Sequence, residues 1–379
     1  MPASHHEKRL FKLTKSFPPT LKIKLNTSCV TVRKETSFMI LCNVRTLSAP
    51  LSGVQRYTRE VLARLPAEIK RVQPSGPFRG ALGHIWEQTL LPLQARGHLL
   101  WSPGGTGPVH LQNQVVTVHD VAPLDCPEGY SPAFRRWYVW LWRRMLPQVR
   151  AILSVSEFTK TRLIEEFKLP ADRIHVTLLG VDHTRFFPQD TEKVEGLRRR
   201  LALPEHFVVF LGALSARKNV VRLLEAWSQR KRSDVHLIIA GGSGPTRMHA
   251  GTRPPPLPPN TRVLGKIDDA DVPTLLTAAD AFAYPSLYEG FGLPPLEAMA
   301  CGTPCLVANV TALPEVVAGA AVQVDPFDVL DIARGLNQLL GDTALRDELR
   351  VKGLNRAAGF TWEHTAAETY KVLSRYEGV

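Results

Sequence analysis

The chain has 379 residues, 44% of them hydrophobic and 22% charged, which is long enough for two domains of roughly 100 to 200 residues each and too apolar for disorder to be the default. Its five cysteines (Cys29, Cys42, Cys126, Cys301 and Cys305) are odd in number, scattered and without a Cys-x-x-Cys pair, which argues against a disulfide framework or zinc knuckle and fits a reducing cytoplasm. The net charge of +12 is uneven, since residues 1–38 hold eight Lys or Arg against two Glu and so carry half of it; no helix-turn-helix, zinc-finger or RNP-type pattern accompanies this balance, so no nucleic-acid partner is expected.

Residues 1–37 mix Lys, Pro, Ser and Thr with little periodicity and read as a basic, disordered extension, while Phe38–Val44 reads as the first buried strand of a domain. From there strands near 98–102, 115–120 and 151–156 alternate with helices near 52–65, 132–147 and 157–167, a pattern that implies a parallel sheet over 38–188. A second alternating series occupies 189–360, with strands at His206–Leu211, Val235–Ala240, Arg262–Leu264 and Ala281–Pro285 and a helix after Pro326. The boundary is expected between Pro188 and Gly196, and Pro254–Pro259 is expected to be a stiff surface loop. Open parallel sheets bind ligands beyond the carboxyl ends of their strands, so two of them facing each other would enclose a cleft. No apolar run approaches the roughly 18 to 20 residues that cross a bilayer, so a soluble or peripheral protein is expected.

The most informative segment runs from Glu289 to Glu297, two carboxylates eight positions apart around a Gly-Pro hinge, between a buried strand and a helix that Gly302 stops. Pro294 and Pro295 suit a first helical turn, and Gly290 and Gly292 allow close backbone approach. The amides of Phe291, Gly292 and Leu293 would then sit at the positive end of a helix dipole, which favours a phosphate by roughly 0.3 to 1 kcal/mol at an exposed site. Taken alone, the pair could also be a solvated loop residue and a favourable charge at a helix start.

The surrounding motifs decide between these readings. The segment resembles the Glu-x7-Glu donor-site motif of the retaining family-four glycosyltransferases, which have the GT-B fold of two Rossmann-like parallel-sheet domains facing a central cleft. Phe210–Asn219, Val155–Lys160, Gly180–Asp182, Val118–Asp120 and Gly53–Tyr57 resemble further signatures of that family in the expected order, covering roughly residues 39–379. The Gly-Val-Gln-Arg-Tyr form of the early loop is most similar to the mannosyltransferase-type subgroup that builds bacterial surface polysaccharides. Members of the family tend to start just before the first strand, so Met39 is expected to be the initiator, and residues 361–379 are expected to form a helix crossing back onto the first domain.

The resemblance implies a role for each candidate. Glu289 contacts the transferred sugar near its reacting centre, and Glu297 binds the nucleotide ribose hydroxyls. Lys218 and Arg217 hold the diphosphate with the amides of Phe291, Gly292 and Leu293, and preorganised charge of this kind is often the largest catalytic contribution. Gly53 lets the opposite domain approach the donor, and His119 meets the sugar through a ring nitrogen or its backbone carbonyl. Many relatives carry an arginine where this chain has Ala213, which leaves open whether Arg217 takes over part of the phosphate contact. Asp269-Ala-Asp271 matches the metal-binding pattern of the other major glycosyltransferase fold but precedes a helix and is read as its cap, so neither a metal nor a cofactor beyond the donor is expected.

No side chain is placed as a covalent nucleophile, so transfer is expected to retain configuration by same-face attack, the departing phosphate taking the acceptor's proton. Arg135–Arg144 combines four arginines, three tryptophans and a tyrosine on one helix; it suits an anionic membrane interface and suits equally a core stripe of Trp137, Leu141 and Met145 with arginines in water. The expected function is transfer of a hexose, favourably mannose from GDP-mannose, to a glycan or polyprenyl-diphosphate-linked acceptor, in the cytoplasm, either free or peripheral on the inner face of the plasma membrane. A UDP-sugar donor is the nearest alternative; a nucleotide-sugar epimerase and a non-catalytic membrane-bound scaffold are the others.

Overall fold

A computed structural model describes residues 38–49, 52–76, 78, 80–242 and 256–377. The expected extension over 1–37 lies outside the described residues, as does the start of the proline-rich stretch at Pro254.

The first half builds a sheet from β1 (Ile40–Asn43), β2 (Lys70–Val72), β3 (Leu99–Ser102), β4 (Gln114–Val118), β5 (Ala151–Ser154) and β6 (Ile174–Val176), in the order β2-β1-β3-β4-β5-β6. The second half builds another from β7 (Phe207–Leu211), β8 (His236–Ala240), β9 (Thr261–Gly265), β10 (Ala281–Tyr284), β11 (Cys305–Ala308) and β12 (Val322–Val324), in the order β12-β11-β10-β7-β8-β9. Every pairing in both is parallel. Central strands such as Phe207–Leu211 and Ala281–Tyr284 are apolar almost throughout because helices cover both faces, leaving no solvent side to make the pattern alternate.

The strand orders locate the ligand site. In the first sheet the chain reverses direction between β1 and β3, and in the second between β7 and β10. A crevice opens beyond the carboxyl ends of the strands at each such reversal, because the flanking connections run to opposite faces. The connection after β7 carries Arg217 and Lys218, and the connection after β10 carries Glu289.

The helix Trp362–Ser374 packs against the helix Gly53–Leu62 of the first half: Trp362, 1% exposed, lies 6.4 Å from the Tyr57 ring, and Arg64 Nε donates to Glu363 at 2.7 Å. Thr361 pairs with Val181 in a parallel bridge, and a Cβ at Gly180 would collide with the backbone of Thr361 and Trp362. The Gly180–Asp182 motif therefore receives the returning chain.

Several elements differ from expectation. β2, β6 and the helix Ala81–Gln94 occupy stretches where none was expected, and Gly196 falls inside the helix Thr191–Leu201, so the connection between the halves ends by Asp190, the residue capping that helix. In the helix Pro132–Met145 the buried stripe is Leu141, Trp142 and Met145; Trp137 is half-buried, and Arg135, Arg136, Arg143 and Arg144 are all exposed. No helix among the described residues is long and apolar enough to cross a membrane.

Candidate active site at the facing strand ends

The turn Ala216–Lys218 after β7 buries Lys218 to 9% exposure and aims its ammonium at the loop after β10. There Nζ donates to Glu289 Oε1 at 2.6 Å and to the Tyr284 hydroxyl, 4.8 Å above the centroid of that ring. Arg217 Nη1 donates to the Tyr288 carbonyl at 2.6 Å and to Glu289 Oε2 at 3.3 Å, and Ser286 Oγ donates to Glu289 Oε1 at 2.6 Å. Glu289 therefore has both oxygens occupied by donors, two of them cationic.

Burial pushes the Glu289 carboxyl up, but the charges of Lys218 and Arg217, with the hydrogen bonds from Lys218 and Ser286, outweigh it and bring the group down to about 2. Burial likewise pulls the Lys218 ammonium below its ordinary value, Glu289 opposing the fall and Arg217 adding to it. The two titrate as a pair, and the direction that matters chemically is that Glu289 stays ionised.

The helix Leu293–Ala300 begins after Gly292 with Pro294 and Pro295 in its first turn, as the prolines dictate. Because Pro294 and Pro295 carry no N–H, Leu293 alone of its first three residues offers an amide, and that amide has no partner inside the helix. Glu297 falls in the second turn, 5% exposed. Burial raises its pKa in spite of Arg56 and Arg185 nearby, with Asp269 adding to the rise.

From the opposite lobe, Gly53 opens the helix Gly53–Leu62, and a Cβ there would meet only Leu293 Cδ1 at 3.8 Å, so protein packing alone does not demand the glycine. Arg56, in the same first turn, donates to Glu297 Oε1 through Nη1 and to Asp269 Oδ1 through Nη2 at 3.2 Å. Arg185 approaches the other Asp269 oxygen at 2.6 Å. Asp269-Ala-Asp271 is thus not the helix cap that its position suggested: Asp271 makes no side-chain capping bond and pairs with Arg200 at 2.5 Å, while Asp269 joins the lobes through two guanidiniums.

His119 follows β4. Its Nε2 faces the Pro103 carbonyl at 2.8 Å, so that nitrogen carries the proton, and burial pulls the imidazole below its ordinary pKa, keeping it neutral. With Nε2 engaged, the groups left to face the cleft are Nδ1 and the backbone carbonyl. That carbonyl lies against Gly290 so closely that a Cβ on Gly290 would collide with it.

All nine residues singled out from the sequence (Gly53, His119, Arg217, Lys218, Glu289, Phe291, Gly292, Leu293 and Glu297) line one hollow of about 430 Å³ between the two sheets. Sequence reasoning missed Arg56, Asp120 and Asp269 on the same walls, although Arg56 and Asp120 stand inside quoted motifs. Three cations facing four carboxylates in a concave, water-accessible site can bind a ligand that itself combines phosphate anions with hydroxyl donors.

Comparison with known proteins bears on the fold and the family. A family model described as glycosyl transferases group 1 matches residues 196–356, and one described as glycosyltransferase family 4 matches 97–185. The O-antigen chain mannosyltransferase B of Escherichia coli is 36% identical over 376 residues, spanning 86% of this chain and 97% of that protein. The serotype-specific mannosyltransferase WbdA of Escherichia coli is 30% identical over 262 residues, 66% of this chain but only 32% of that longer protein. Among solved structures, Anabaena Alr3699/HepE in complex with UDP and glucose superposes with a TM-score of 0.68 at 20% identity, over 89% of this chain and 99% of that one. WaaG, a glycosyltransferase involved in lipopolysaccharide biosynthesis, does so with 0.68 at 18% identity, over 89% and 100%. With two doubly wound sheets of the GT-B arrangement and a full-length relative at this identity, the chain belongs to the group 1, family-four glycosyltransferases, and within them it is mannosyltransferase-like.

Proposed function

We propose that the chain transfers mannose from GDP-mannose to a lipid-linked glycan of a bacterial surface polysaccharide, with retention of configuration and without a metal. The observation that carries this reading is the cluster of Lys218, Arg217 and Glu289 at the reversal point of the second sheet, opposite Gly53 and His119 of the first. The donor diphosphate sits against Lys218, Arg217 and the amides of Phe291, Gly292 and Leu293 that lead into the helix Leu293–Ala300, where negative charge develops as the glycosyl bond breaks. Glu289, held ionised, stabilises positive charge at the anomeric carbon. Glu297 accepts from the ribose hydroxyls, for which Arg56 must give way.

Every oxygen of Glu289 is already engaged by Lys218, Arg217 or Ser286, which suits an electrostatic role better than a covalent one. The acceptor hydroxyl then attacks from the face the phosphate leaves, forming the new glycosidic C–O bond as the anomeric C–O bond to phosphate breaks. Its proton passes to the departing phosphate oxygen, so no separate base is required. Metal independence is supported by the two cations beside the phosphate position and by the commitment of Asp269 and Asp271 to arginines.

The acceptor side carries a surface suited to an anionic membrane. Arg135, Arg136, Arg143 and Arg144 are exposed beside Phe134 (39% exposed) and Trp140 (46%) on the helix Pro132–Met145. His84 of the neighbouring helix Ala81–Gln94 packs against Trp137, and that helix exposes Leu82, Ile85 and Leu93. Basic heads over an apolar face bind the headgroup boundary of acidic bilayers. These features support a peripheral enzyme at the cytoplasmic side of the plasma membrane, where lipid-linked acceptors are reached.

A donor panel with a chelator arm tests the proposal. GDP-mannose at 100 times its Kd is expected to stabilise the fold by about 2.7 kcal/mol, to support transfer in excess chelator, and to yield an α-linked product by NMR. Preference for a UDP-sugar, an inverted product or loss of turnover in chelator would each overturn the corresponding part.

A further inference from the structure

Val155–Lys160 matches a family signature, yet the chemistry above assigns it nothing. Ser156 caps the helix Glu157–Phe167 by accepting from the Thr159 amide at 3.0 Å. Capping uses that oxygen as an acceptor and leaves its proton free. The proton goes to the other lobe: Ser156 Oγ donates to the Gly290 carbonyl at 2.6 Å, and Thr159 Oγ1 donates to the same carbonyl at 3.2 Å. Both residues are fully buried, so neither hydroxyl has water as an alternative.

Other contacts fasten the same seam. Glu315 of the second lobe accepts from the amides of Glu157 and Phe158 at 3.0 and 3.1 Å, supplying a carboxylate to the positive end of a helix in the first. The Phe158 and Tyr288 rings meet edge to face at 5.6 Å, and the Tyr288 carbonyl is held by Arg217. Gly290 is the next residue after Glu289 and admits no side chain beneath the His119 carbonyl.

We propose that Ser156 and Thr159 form an inter-lobe clasp that, by gripping the Gly290 carbonyl, positions the Glu289 loop against the acceptor lobe for transfer. They are positioning residues, acting through Gly290 on Glu289 without touching substrate. The clasp rests on the glycosyl-transfer reading of the same hollow and makes transfer depend on the docking of the two lobes.

The test uses the full chain with Thr159→Val, Thr159→Ser, and Ser156→Ala combined with Thr159→Val. Losing one hydroxyl is expected to lower kcat by up to about tenfold, and losing both by more. The dissociation constant for nucleoside diphosphate, whose expected contacts lie on the second lobe, should stay within about twofold by calorimetry. Thr159→Ser restores the hydroxyl and is expected to return most of kcat. Small-angle scattering reads the clasp without turnover: the double variant should show a larger radius of gyration than wild type, whatever the donor proves to be. Wild-type kcat in the double variant, a Thr159→Ser variant no better than Thr159→Val, or equal radii of gyration would each overturn the clasp. Equal radii do so even if the donor is misassigned, whereas a clasp seen by scattering in an enzyme inert toward GDP-mannose would sink only the donor assignment.

Discussion

Replacing Lys218 by Met removes the ammonium that holds Glu289 while keeping most of the side-chain volume. Glu289 ionises at about 2 in the fold against an ordinary 4.5, a difference worth about 3 kcal/mol at roughly 1.36 kcal/mol per pH unit. Deleting one partner of a buried pair costs about 3 to 5 kcal/mol. Arg217, 3.3 Å from the second oxygen, retains part of the pairing, and removal of Lys218 also relieves the burial of its own charge, so the lower end applies: about 3 kcal/mol near pH 7, or roughly 4 °C in Tm for a chain of this length. The sign with pH follows. A depressed carboxyl stabilises fully above its unfolded pKa and loses that contribution as pH falls through the folded one, so wild type keeps the benefit down to about 4.5 and sheds it towards 2. In Lys218→Met, burial dominates and Glu289 takes up a proton at higher pH, so the deficit relative to wild type should shrink on going from pH 7 to 5. Adding Glu289→Gln should recover more than half of the lost stability while leaving transfer abolished, separating the electrostatics of the fold from those of catalysis. Scanning calorimetry at both pH values checks this; a deficit below about 1 kcal/mol at pH 7, a deficit unchanged at pH 5, or no recovery in the double variant would mean that Lys218 does not hold Glu289 ionised in the fold.

Two further outcomes are expected. Glu297→Ala should raise the donor KM at least about tenfold with a smaller change in kcat, because ribose contacts present before and during reaction contribute uniform binding; steady-state kinetics with varied donor measures the split. Changing Arg135, Arg136, Arg143 and Arg144 to Glu should weaken binding to phosphatidylserine vesicles by more than the about 1 kcal/mol that each lost arginine supplies, with a steep dependence on salt, and flotation assays would show it.

What was legible in the sequence divides along physical lines. The strands buried on both faces, such as Phe207–Leu211 and Ala281–Tyr284, announce themselves as apolar runs because nothing in their surroundings is wet. The edge strand Lys70–Val72 has exposed side chains and gives no such signal. The helix Ala81–Gln94 hides for a different reason: Pro92 stands inside it and reads in the sequence as a breaker, and the exposed Leu82, Ile85 and Leu93 blur the contrast between its faces.

At the site, Glu289, Glu297 and Lys218 were visible because turn residues and motif spacing place them on single local connections. Arg56 and Asp269 were not, since they meet across 213 residues of chain and the pairing exists only once two lobes have docked. Asp269 also satisfied a local rule, an acid just before a helix, that the two guanidiniums override. The same limit hid Ser156, whose capping role is local and readable while its proton serves a carbonyl 134 residues away.

A diffraction structure of the full chain with bound GDP-mannose would show whether one nucleotide sugar bridges Lys218, Glu289 and Glu297. The expected result places the diphosphate within hydrogen-bond reach of Lys218, Arg217 and the amides of Phe291, Gly292 and Leu293, the ribose on Glu297 with Arg56 displaced, and the mannose between Glu289 and His119. A nucleotide sugar bound elsewhere, with the Lys218–Glu289 pair and the Arg56–Glu297 pair both undisturbed, would contradict it.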